Sequence, residues 1–292
     1  MAAKINSHSP PESKTELAKK LGVSRASLYY TPKLPQKDLQ LKTAIERVMA
    51  EHKAYGHRRI ATELGVNKKR VSRVMKLFGL KAKRHRRHPK KPEDMGQKEL
   101  KIPNLLKDHV ISSPGEVLAS DFTYLPYQGR FVYLATFEDL FTREIVGWSV
   151  SLRHTADFIV EALEMALSNC PHPKFIHSDQ GSEYRSKKYR EFLQNQRIAI
   201  SMSAKSSPWQ NGHQESFYSE FKLELGHPEA YPELGELIEA IAQQIHYYNY
   251  RRIHSALKCP PAVFNQKNRL QAVTNYKLIH NLTTASPVRM TV

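Results

Sequence analysis

The apolar positions of this chain fall into two textures, helical at first and then strand-like runs mixed with helices. Leu41, Ala44, Ile45, Val48 and Met49 recur at three- and four-residue spacing and predict a helix over 38–53. Ahead of it, Leu17, Ala18 and Leu21 predict a short helix that stops at Gly22, where a left-handed backbone turn costs least. Ser24 is placed to cap a second helix, with Leu28 inward and Arg25, Ser27 and Tyr29 outward. The pattern returns 43 positions later, with Ala61, Gly65 and Val71 standing where Ala18, Gly22 and Leu28 do, and Asn67 in the capping place of Ser24. Two short helices joined by a tight glycine turn make a helix-turn-helix, so the first third reads as two such units. In the second, Val71, Val74, Met75 and Phe78 form the apolar side.

The texture changes at Pro114. Runs at 117–125, 130–138 and 144–151 read as an antiparallel meander. A helix capped by Thr155 runs to Leu167, followed by a short strand from Phe175 that ends at Asp179 and a helix over 187–194. A fifth strand at 198–202, a polar loop at 205–212 and a helix over 214–225 complete a βββαβαβα order. That order predicts an α/β fold with a mixed sheet, right-handed crossovers for the parallel strands, and the fourth strand beside the first. A last helix, 234–248, carries Leu237, Ile238, Ile241 and Ile245 inward.

Charge divides along the same boundary. Residues 1–110 hold 27 Lys/Arg against 10 Asp/Glu, whereas residues 111–292 hold 18 of each, so the formal charge of +17 lies entirely in the N-terminal portion. Such segregation points to a nucleic-acid-binding region attached to a neutral domain. The candidate DNA contacts of the helical units are Arg25, Ser27 and Tyr29 in the first, and Arg58, Arg59, Lys68, Lys69, Arg70, Arg73 and Lys76 in the second. Residues 81–92 lack an apolar face and hold seven Lys/Arg; Lys83, Arg84, Arg86 and Arg87 are suited to lie along phosphates without fixed structure. The expected divisions are 1–34 and 35–80 for the helix-turn-helix units, 81–110 for a basic linker, 111–268 for the core and 269–292 for a tail. Only two cysteines occur, Cys170 and Cys259, with no paired spacing, which does not support a disulfide scaffold and suits a reducing cytosol. No apolar stretch reads as a signal peptide or a membrane span, so a cytoplasmic, nucleoid-associated protein is expected.

Three carboxylates stand where the core elements begin or end: Asp121 in the first strand, Asp179 after the fourth, and Glu215 in the first turn of the 214–225 helix. Each alone has an ordinary reading as a strand-end residue, a turn cap or a first-turn helix acid. Together they can hold two Mg²⁺ ions, the arrangement that phosphodiester chemistry uses. Asp139 sits in a turn and Glu183 reads as a rim residue. On a helical wheel Glu220 and Glu224 point away from Glu215, whereas Ser219 and Lys222 share its face. Lys205 and Trp209 in the preceding loop, and Lys222, are further candidate DNA contacts.

Element order, motifs and spacing resemble the RNase H-like catalytic core of retroviral integrases and DDE transposases. Between Asp121 and Asp179 lie 57 residues, and between Asp179 and Glu215 lie 35, the second spacing being that of the integrase-like branch. More closely, the chain resembles the second-frame proteins of two-frame bacterial insertion sequences. The resemblance rests on Gly22-Val-Ser-Arg, Tyr55-Gly-His-Arg-Arg-Ile, Asp121-Phe-Thr-Tyr, Arg143-Glu-Ile-Val-Gly-Trp, His177-Ser-Asp-Gln-Gly-Ser-Glu-Tyr and Tyr247-Tyr-Asn-Tyr-Arg-Arg-Ile-His-Ser. Glu183 departs from it, standing where Gln is more usual. The resemblance implies a transposase that binds terminal inverted repeats of double-stranded DNA and cuts and joins strands through Asp121, Asp179 and Glu215. It further implies two Mg²⁺ ions, for which Mn²⁺ can substitute, a dimer or larger assembly on DNA, and an upstream-frame helix-turn-helix protein as a possible partner. A nuclease that only hydrolyses, or a DNA-binding regulator with an inactive core, are the alternatives.

Overall fold

The computed structural model describes residues 13–29, 33–83, 102–107, 109–170, 172–203 and 212–270. Its N-terminal part is helical: α1 Lys14–Lys20, a 3₁₀ turn Arg25–Tyr29, α2 Lys33–Glu51, α3 His57–Glu63 and α4 Lys68–Leu77. Ser13 and Glu16 form a capping box on α1, and Asn67 accepts from the Lys69 N–H at the start of α4. The two glycine turns match in detail. Gly22 and Gly65 have φ of +64° and +61°, and the residue after each donates five positions back, Val23 to Ala18 and Val66 to Ala61. The first unit departs from expectation after its turn. Residues 25–29 wind as a single 3₁₀ turn in which the Ser24 and Ser27 hydroxyls meet at 2.8 Å, and α2 begins at Lys33, earlier than its stripe implied.

The core sheet has the order β3-β2-β1-β4-β5, from strands Val117–Tyr127, Arg130–Asp139, Ile145–Ser151, Phe175–Ser178 and Ala199–Met202. β1, β2 and β3 form the expected meander, and β4 runs parallel beside both β1 and β5. Helices α5 (Ala156–Asn169) and α6 (Lys187–Asn195) cover one face, where Leu118, Phe137, Phe158, Leu163, Ile176 and Leu193 share a buried cluster. Helices α7 (Gly212–Leu225) and α8 (Leu234–Tyr250) cover the other, around Leu125, Leu134, Phe217, Phe221, Leu237 and Ile241. At Gly147 the α5 backbone approaches so closely that a Cβ would stand 2.3 Å from the Ala162 carbonyl oxygen.

Two packing features lie outside the divisions read from sequence. Ile102, Leu105 and Leu106, expected at the end of the linker, pack against the core, and Pro103 accepts from the Met202 N–H on the outer edge of β5. Ile253, which follows α8, is buried in the cluster of the second helix-turn-helix with Ile45, Tyr55, Ile60, Val71 and Val74. The helical region and the core are therefore joined by an apolar contact.

Candidate active site and its coupling to the helical region

The pairing of β1 with β4 decides where two of the acids meet. The parallel register joins residues 117–119 to 175–177 and then stops, so Asp121, within β1, and Asp179, directly after β4, lie just beyond its end. Asp121 is half-buried, and its Oδ1 accepts from the Phe122 N–H at 2.9 Å. Burial first, then the negative charges of Asp179 and Glu215, push its pKa up to about 7. Asp179 Oδ1 accepts from the Gly181 N–H at 2.9 Å, so this acid also caps the turn that follows it.

Glu215 lies on the exposed side of the first turn of α7, and that turn is fixed to β1 by its neighbours. Gln214, fully buried, donates to the Ala119 carbonyl at 2.9 Å and accepts from the Thr136 hydroxyl at 3.1 Å. One turn later the Tyr218 hydroxyl donates to the carbonyl oxygen of Asp121 itself, at 2.7 Å. Sequence reasoning passed over both residues, although their four-residue spacing put them on one helix face. Lys222, half-buried, lies over the Tyr124 ring at 5.1 Å, and the Asp121 charge acts on it against the effect of burial.

Carboxylate oxygens suit a hard divalent cation such as Mg²⁺, and the mutual repulsion registered at Asp121 is what a cation would relieve. The donor set fits in chemistry. It is not drawn into a closed ligand shell: among the described residues no group of three or more His, Cys, Asp or Glu is gathered closely enough to hold an ion.

The neighbouring acids divide as follows. Asp139 is structural, its carboxylate accepting from the Gly115 and Phe141 N–H groups and the Thr142 hydroxyl. Glu183, expected at the rim, is only 7% exposed; it takes the Ser182 hydroxyl at 2.6 Å and pairs with His154 at 3.3 Å. Glu220 and Glu224 do point away from Glu215, and their partners are arginines. Arg252, 1% exposed, donates from Nε to Glu224 at 3.0 Å and from its terminal nitrogen to Glu220. Arg59 reaches the same Glu220 from α3 at 3.1 and 3.2 Å.

That contact corrects one expectation. Arg59, anticipated at DNA, has a side chain only 15% exposed and spends its guanidinium on the core. Arg73 pairs with buried Asp38 at 2.7 Å, and Arg70 donates to the Lys37 carbonyl; both fold back on α2 while remaining partly exposed. Arg58, Lys68, Lys69 and Lys76 are exposed. Arg25 and Ser27 are exposed on the 3₁₀ turn, and exposed Tyr29 lies under the Lys14 ammonium at 4.7 Å. Lys83 donates to the Leu223 carbonyl of α7 at 3.2 Å. Arg84, Arg86, Arg87, Lys205 and Trp209 lie outside the described residues. Among the described residues no helix is long and apolar enough to cross a membrane.

Comparison with known proteins agrees with these features. The model of an integrase core domain matches residues 112–208, a second integrase core model matches 196–261, and an HTH-like domain matches 36–88. The transposase for insertion sequence element IS904 of Lactococcus lactis subsp. lactis (strain IL1403) is 36% identical over 228 residues, covering 74% of this chain and 89% of that protein. The putative transposase InsK for insertion sequence element IS150 of Escherichia coli (strain K12) is 32% identical over 260 residues, covering 83% and 89%. The HTLV-2 integrase catalytic core domain, solved in complex with magnesium, overlays with a TM-score of 0.41 at 20% identity, covering 52% of this chain and 97% of that one. With such identity over most of its length, the chain belongs to the insertion-sequence transposases that pair a helix-turn-helix region with an integrase core.

Proposed function

We propose that the chain cuts the ends of its mobile element and joins them to target DNA, with Asp121, Asp179 and Glu215 as the catalytic acids. The observation that carries this is local: Asp121 and Asp179 lie just past the end of the parallel β1–β4 register, and the third acid rides on a helix whose Tyr218 is bonded to the Asp121 carbonyl. Asp121, Asp179 and Glu215 would hold two Mg²⁺ ions, or Mn²⁺ in their place, which when bound activate the attacking oxygen and neutralise the leaving one. The protein's own part is positional. Gln214 and Tyr218 hold the Glu215 turn against β1, and Lys222 brings a cation beside Asp121, where a DNA phosphate would enter. Because hydrolysis and strand transfer are both phosphoryl transfers, one set of acids serves water first and then the freed 3′-OH.

The helix-turn-helix units would read the terminal inverted repeats, with Arg58, Lys68, Lys69 and Lys76 of the second as its open contacts. Two ends must be brought together, so the working form is a dimer or larger assembly on double-stranded DNA. The test is incubation of the purified chain with labelled element-end DNA, Mg²⁺ and a circular target. Joined products that vanish in Glu215→Gln support the proposal, and hydrolysis without joining makes the chain a nuclease. The open arrangement of the three acids favours one other reading, a DNA-binding regulator, which binding without metal-dependent cleavage would establish.

A further inference from the structure

Helix α7 is gripped at two places. Its first turn is bonded to β1 beside Asp121, and its later turns are gripped by residues from elsewhere in the chain. Arg59 and Arg252 converge on Glu220, Arg252 also takes Glu224, and Gln244 donates to the second oxygen of Glu224 at 2.9 Å. Around this joint the Tyr55 hydroxyl accepts from the Ile253 N–H at 2.6 Å, His52 and the Tyr247 hydroxyl meet at 2.7 Å, and Glu51 pairs with Arg251. The helix-turn-helix region is thus keyed into the core by charge, hydrogen bonds and the buried Ile253.

Glu215 and Glu220 lie on one uninterrupted helix, about 7.5 Å apart along its axis. No flexible segment separates the acid of the active site from the carboxylate that holds the DNA-reading module. From this geometry we infer that the Arg59–Glu220–Arg252 joint fixes the cleavage register: it sets how many nucleotides separate the recognised sequence from the phosphodiester that is cut. The inference rests on the transposition reading above. Arg59 and Arg252 are positioning residues in it, since neither touches the reacting atoms.

The scale is suitable. Slipping the register by one nucleotide requires a relative shift of about 3.4 Å along a strand. Ion pairs at 3.0–3.2 Å anchored on a buried arginine cannot open that far and remain bonded. With the joint intact one register is selected. With Arg59 released, the module keeps its apolar contact through Ile253 but loses the charge that fixes its angle to α7.

The experiment uses the full chain and a labelled duplex carrying the end of the element that encodes it, with cleavage mapped at single-nucleotide resolution. Arg59→Gln is the test variant, because Arg252→Ala would take the arginine from the buried Glu224 carboxylate and risk unfolding. Arg59→Gln should bind the duplex within about twofold of wild type and melt cooperatively, yet cut at two or more neighbouring positions. Arg59→Lys, which keeps the charge, should return most cleavage to one position. A single unchanged cut site in folded, DNA-binding Arg59→Gln would overturn the inference and leave the joint a matter of stability. Binding reduced tenfold or more, with the cut site unchanged, would return Arg59 to the DNA surface and overturn it equally. If wild-type protein does not cut the duplex at all, it is the transposition reading that fails.

Discussion

Replacing Asp121 with Asn should stabilise the protein, and by an amount that depends on pH. A carboxyl whose pKa rises from 3.8 to about 7 on folding prefers to be protonated in the native state. Between those values the native protein binds more protons than the unfolded chain, so this group's contribution is fully present below pH 4 and lost as pH rises through 7. At about 1.4 kcal/mol per unit, the full shift corresponds to about 4 kcal/mol. Asp121 is half-buried and coupled to Asp179, so a realistic difference is about 2 kcal/mol. Asn has nearly the shape of protonated Asp and carries no charge to repel Asp179. Urea unfolding of wild type and Asp121→Asn should therefore give matching stabilities at pH 4 and a gap that opens towards pH 8 in favour of Asn. Taking the difference removes contributions common to both proteins, such as that of Glu116, which the Lys174 ammonium holds far below the usual carboxylate range. Adding Mg²⁺ at pH 8 should raise wild type alone and narrow the gap. A gap of constant size from pH 4 to pH 8, or a more stable wild type at pH 8, would refute the assignment of Asp121 to a strained acidic cluster.

Further outcomes follow from the packing. Gly147→Ala should destabilise the core by more than about 3 kcal/mol, because its Cβ would meet backbone atoms of α5 at 2.3 and 2.5 Å; thermal melting of the purified variant checks this. A fragment of residues 102–270 should fold, whereas one beginning at 111 should melt at lower temperature for want of Ile102, Leu105 and Leu106; circular dichroism of the two decides. The 102–270 fragment should also bind DNA weakly and with little salt dependence beside the full chain, since the basic excess lies before residue 111; a salt titration of binding tests it. Tyr218→Phe should lower joining at saturating DNA and raise the Mg²⁺ needed for half-maximal activity, with DNA affinity unchanged, because it releases the Glu215 helix from the Asp121 carbonyl.

Much of the core could be read from local pattern. Strand-like apolar runs joined by turn residues over 117–151 identified the meander, and the strand-end position of Asp179 followed from the short apolar run Phe175-Ile-His before it. The helical wheel was enough to separate Glu215 from Glu220 and Glu224, because face assignment within one helix needs no tertiary information. The fate of the arginines could not be read in that way. Arg59 has its partner 161 positions away and Arg73 has its partner 35 away, and a basic residue looks the same in sequence whether it meets a phosphate or a buried carboxylate. Glu183 reads as a polar loop residue until His154, from another loop, is seen beside it. The 3₁₀ turn at 25–29 carries the cap and anchor of a helix, but five residues are too few for pattern to distinguish the two windings.

The two outer strands have a consequence for how copies of this chain can meet. An uncovered strand edge invites a neighbour to add to the sheet. Here the segment around Pro103 and Leu105 bonds to Met202 and Ser201 along β5, and the Asn249 side chain takes both the N–H and the carbonyl of Ile145 at the start of β3. The backbone N–H of Met202 on β5 and both backbone groups of Ile145 on β3 are thus satisfied from within. At these positions a second copy adding to the sheet would first have to displace a bond made within the chain.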